Sequence, residues 1–67
     1  MIQFYIEIMK ERKRKGGKER YDVVVGYLPI LAESPEMASE IGGKILDNCN
    51  AIWAGGVKTE IGTRIVI

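Results

Sequence analysis

A chain of 67 residues with a net charge of +1, 46% hydrophobic and 28% charged, has the composition of one small globular domain. It holds one cysteine and no histidine, so neither an internal disulfide nor a structural zinc supports the fold. Folding at this size buries only about 60% of the surface the unfolded chain exposes, which leaves self-association or partner binding as the way to bury more.

No apolar run approaches the roughly 18 residues of a membrane span. The opening MIQFYIEIM is interrupted by Gln3 and Glu7, and positive charge follows it, the reverse of a secretory signal. The expectation is a soluble, cytoplasmic single domain over residues 1–67, with Cys49 reduced.

The first element in chain order is a strand over residues 2–9. Ile2, Phe4, Ile6 and Ile8 alternate with Gln3, Tyr5, Glu7 and Met9, the period of a half-buried strand. The segment KERKRKGGKER, residues 10–20, then reverses the chain about Gly16-Gly17. It carries seven cations against two acids, net +5, whereas the remainder carries three cations against seven acids, net −4. A basic footprint spread over the whole domain, the mark of a non-specific nucleic-acid binder, is therefore missing.

Tyr21 to Leu31 reads as a second strand from its valines and tyrosines, and Pro29 places it at a sheet edge. In AESPEMASEIGGKILDN, Ser34 is an N-cap, Pro35 fits the first helical position and Glu36 complements the helix dipole. Met37, Ala38, Ile41, Ile45, Leu46 and Cys49 recur as an inward stripe. Gly42-Gly43 either bends this helix or lets it lie close to the sheet, and Asn48 and Asn50 are its terminators. Ala51 to Ala54 before Gly55-Gly56 fits a short extra strand and tight turn. Val57 to Ile67 alternates as a last long strand, with Gly62 a bulge or kink.

The fold class is α+β: a three- to four-stranded antiparallel sheet in the sequence β-β-α-β, order 2-1-3, with one helix on one face. The opposite face, carrying Tyr5, Met9 and some of Val23, Val25 and Tyr27, is left without cover and offers a binding or dimer surface.

Catalytic readings fail on residue type. Glu36 and Glu40 read as a solvated acidic helix face, Ser34 as a cap and Cys49 as a small core residue. The glycine pairs in KGGK, IGGK and AGGVK match no phosphate-binding loop, so no cofactor, metal or catalytic residue is assigned.

The basic segment reads as a solvated hairpin tip, a phosphate contact or a docking element for an acidic protein groove. Its cations Arg12, Lys13, Arg14, Lys15, Lys18 and Arg20 are the candidate partner-binding residues, with Tyr5, Tyr27 and Trp53 as aromatic contacts. Tyr21 joins those tyrosines and Trp53 among the side chains able to stack on bases. Packing under the sheet end is the competing reading of Trp53.

The passage LAESPEMASEI, a strand running into a short helix that precedes another strand, is similar in layout to several small phage proteins. These include a phage inhibitor of bacterial RNA polymerase and certain anti-CRISPR proteins, and the likeness spans roughly residues 20–67. The resemblance implies a stoichiometric blocker rather than an enzyme. It would inhibit or modulate a host nucleic-acid-handling protein complex through basic side chains. The alternatives are a module that contacts DNA or RNA phosphates through the same segment, and a dimeric structural subunit built on its strand edges.

Overall fold

The computed structural model describes residues 1–60. Strand β1 (Ile2–Lys13) and strand β2 (Arg20–Ala32) form a long hairpin, helix α1 (Pro35–Leu46) returns along it, and β3 (Ile52–Lys58) completes the sheet. All pairing is antiparallel and the order is β2-β1-β3, with the alternating first strand central and the Pro29 strand at an edge. The expected α+β architecture is thus present in three strands. The proposed strand beyond residue 60, with its Gly62 kink, lies outside the described residues.

One face of the sheet meets the helix. Phe4 and Ile6 of β1, Ile30 and Ala32 of β2, and Ala38 and Leu46 of α1 make the buried core, flanked by Ile8, Leu28, Ile41, Ile52, Ala54 and Val57. The helix starts as its residues dictate. Ser34 Oγ accepts the Met37 N–H at 3.2 Å, and Pro35 needs no amide partner there. It stops at Asp47, where the Asn48 side chain donates to the Lys44 carbonyl at 3.3 Å.

The inward stripe is narrower than its sequence period suggests. Ala38, Gly42 and Leu46 face the sheet with Ile41 partly covered, while Met37, Ile45 and Cys49 are exposed. The helix lies so close to β1 at Gly42 that no side chain fits there. A Cβ added at Gly42 would stand 2.7 Å from Ile6 Cγ1. Cys49 follows the end of the helix and so leaves the stripe.

Gly55-Gly56 does not form a tight turn, and residues 51–54 are not a separate strand. The glycines lie inside β3, where Ile6 pairs with Val57 and Ile8 with Ala54, leaving two glycines opposite Glu7. This is a bulge, and it turns both Ala54 and Val57 toward the helix. The Gly56 N–H donates to Glu7 Oε1 at 2.9 Å. A Cβ at Gly55 would approach Met9 Cγ to 2.7 Å.

A second bulge lies on the other side of β1. Ile8 pairs with Gly26 but Met9 with Val24, so Val25 is an extra residue in β2. The valine run therefore loses its simple alternation. Val23 comes to the helix side opposite Lys10, and Val24 comes to the open side opposite Met9.

Candidate functional site: the basic ribbon

The basic segment is mostly strand. Pairing continues through Lys10–Val23, Glu11–Asp22, Arg12–Tyr21 and Lys13–Arg20, and only residues 14–19 form the turn. Within it the Gly17 N–H donates to the Arg14 carbonyl and the Arg14 N–H to the Glu19 carbonyl. Gly16 takes φ +80°, a conformation glycine adopts without steric cost. The third strand reaches only as far as Ile52, opposite Lys10. Beyond that row the sheet narrows to a two-stranded ribbon, and Arg12, Lys13, Arg14, Lys15, Lys18 and Arg20 all lie on it.

Two of these cations have partners. Arg14 lies 3.6 Å from Glu19 and Arg20 lies 3.2 Å from Glu11. Both pairs are open to water, where such bridges contribute little and exchange readily for another anion. Among the described residues Lys10, Arg12, Lys13, Lys15 and Lys18 take part in no ion pair. An open cleft of about 370 Å³ runs between Arg14, Glu19, Arg20 and Tyr21.

The register sorts the ribbon's charges by face. Residues directly opposite each other share a side of the sheet. Glu11 and Asp22 therefore stand together on the open side, next to the row of Lys13 and Arg20. Like charges directly opposite are destabilising, and the Arg20–Glu11 bridge runs diagonally between the two rows to offset this. The paired rows on the helix side carry Lys10 with Val23 and Arg12 with Tyr21 and hold no acid, while Glu19 lies beyond them in the turn, beside Arg14.

Tyr5, Tyr27 and Trp53 form a second group, on the open face of the wider sheet. Tyr5 lies between Pro29 and Lys58, Tyr27 opposite Glu7, and Trp53 opposite Met9. Trp53 is 39% exposed there and does not pack beneath the sheet end. Together with Val24 and Leu31 these side chains make an apolar face that no other described residue covers. The Met9 row adjoins the base of the ribbon, so Trp53 stands beside the basic site, whereas Tyr5 and Tyr27 lie farther along.

Sequence reasoning did not place Lys10 or Tyr21 beside Arg12. The bulge that sets Tyr21 opposite Arg12 has one visible signal, three consecutive valines that cannot all alternate. Among the described residues there is no group of His, Cys, Asp and Glu able to hold a metal ion, and no helix long and apolar enough to cross a membrane. Comparison with protein-family models, with curated proteins and with solved structures returns no match.

Proposed function

We propose that this protein is a non-catalytic binding protein that engages a nucleic-acid-handling complex through its basic ribbon and thereby inhibits or modulates it. One observation carries the reading. Seven of the chain's ten cations lie on one hairpin, six of them past the last row of the third strand, so they can reach a partner without bringing the acidic helix against it. A turn needs no such charge density, and five of the seven have no ion-pair partner among the described residues. Cations so placed attract a polyanionic surface over a distance and speed encounter with it. The apolar face beside Trp53 adds contact area at the base of the ribbon.

The test is a titration of labelled DNA and RNA at low and moderate salt, comparing the wild type with a variant in which Arg12, Lys13, Arg14 and Lys15 are alanine. A ribbon that contacts the nucleic acid of that complex predicts binding that weakens with salt and is lost in the variant. Binding that the variant retains would remove the ribbon from the interface. A folded wild type that binds no nucleic acid, while capturing a protein through the same four residues, would identify an acidic protein groove as the partner.

A further inference from the structure

The Val25 bulge has a consequence for recognition. With unbroken pairing, Met9 would face Val25, Lys10 would face Val24, and Arg12 would face Asp22. That arrangement would make an oppositely charged cross-strand pair and neutralise Arg12. The observed register moves Asp22 opposite Glu11 and puts Tyr21 opposite Arg12. The fold thus forgoes a favourable pair and accepts a like-charge one. The result is a ribbon with one face of mixed charge and one face, Lys10, Arg12 and Tyr21, whose paired rows hold no acid; the turn's Glu19 is bridged to Arg14.

We infer that this second face is the contact surface and that it takes the phosphate backbone of a nucleic acid. The inference rests on the proposed role of the ribbon and names its partner. Lys10 and Arg12 are two positions apart on one strand, so their side chains emerge on the same side about 7 Å from each other, comparable with the spacing of successive phosphates along a strand. Arg12 offers a planar fork of donors to one phosphate, and Lys10 a point charge to its neighbour. Tyr21 is 47% exposed and supplies an aromatic surface beside Arg12 on which a base can stack. The mixed face, with Glu11 and Asp22 side by side, would repel the same backbone.

The decisive comparison is Arg12→Gln against Lys13→Gln. These neighbours each remove one positive charge from the same ribbon, neither breaks an ion pair, and they point to opposite faces. Affinity for 20-nucleotide single strands and duplexes is measured across a salt series, which also separates the two forms of nucleic acid. The expected result is that Arg12→Gln lowers the slope of log K against log salt by about one on the preferred form, whereas Lys13→Gln leaves it nearly unchanged. Lys10→Gln should behave like Arg12→Gln. Tyr21→Leu should weaken single-strand binding without changing the slope. Deleting Val25 removes the bulge but leaves Met9 opposite Val24 and Arg12 opposite Tyr21, so a folded deletion variant should keep the wild-type affinity and salt slope. Equal losses for Arg12→Gln and Lys13→Gln would overturn the face assignment while leaving the ribbon as the binding element. Absence of any salt-dependent binding by the wild type would overturn both.

Discussion

The N–H of Gly56 donates to Oε1 of Glu7 at 2.9 Å, joining two residues 49 positions apart in the chain. Glu7 thereby satisfies the bulged part of β3, and its other oxygen lies 3.6 Å from Lys58 Nζ. The Glu7 side chain is only 18% exposed, so the contact is partly shielded from water. Glu7→Ala should cost about 1–2 kcal/mol, within the range for a hydrogen bond to a charged group. Glu7→Gln keeps an acceptor and should cost less. Chemical denaturation of the two variants checks the order. Equal stability of wild type and Glu7→Ala would mean that the bulge holds itself.

The adjacent helix glycines should respond to alanine in opposite directions. At Gly42 the new methyl would meet Ile6, a fully buried, β-branched side chain with little freedom to move. Overpacking of about 1–3 kcal/mol outweighs a helix-propensity gain of about 1 kcal/mol, so Gly42→Ala destabilises. At Gly43 a Cβ meets nothing within 4 Å, and Gly43→Ala should stabilise by about 0.5–1 kcal/mol. Thermal melts should shift down for the first and up by several degrees for the second. A rise for both would place the helix farther from β1 than described.

Loss of the helix cap offers an independent check on local structure. Ser34→Ala removes the acceptor of the Met37 N–H and should cost about 1 kcal/mol. Ser34→Asp should restore most of it. A cap variant that melts like the wild type would show that packing alone sets the helix start.

The sheet order was legible in the sequence because few solutions exist. Two strands joined by a hairpin and a third reached through a helix leave the third only the free side of the first, and Pro29 marks the second as an edge. The helix start was legible because Ser34, Pro35 and Glu36 act through bonds within one turn. The misread features depend on distant partners. Gly55-Gly56 suits a turn or a bulge equally well until Glu7 and Met9 are brought against it. Met37 and Ile45 fit a helical period, but the close approach at Gly42 narrows the covered stripe and leaves both exposed. At the candidate site, the cations were plain in the sequence. Their cross-strand neighbours were not, because one inserted residue, Val25, decides whether Asp22 or Tyr21 stands opposite Arg12.

Ion pairing within the ribbon makes a further prediction. Arg20→Gln leaves Glu11 and Asp22 opposed without the diagonal cation. Exposed pairs of this kind contribute little, so global stability should fall by under about 1 kcal/mol. Amide hydrogen exchange should nevertheless quicken in residues 11–22 relative to the sheet beneath the helix, because local opening of the ribbon needs no exposure of the core. A uniform rise over the whole sheet would contradict an energetically separate ribbon.

The most direct test of the central claim is to follow the backbone amides of isotope-labelled protein by NMR while unlabelled single-stranded or duplex nucleic acid is added. Contact through the ribbon predicts shifts concentrated in residues 10–21, largest near Lys10, Arg12 and Tyr21, that diminish as salt is raised, with the helix amides of residues 35–46 unaffected. Shifts centred on the helix or on the open face around Tyr5 and Tyr27, or none at low salt, would contradict it.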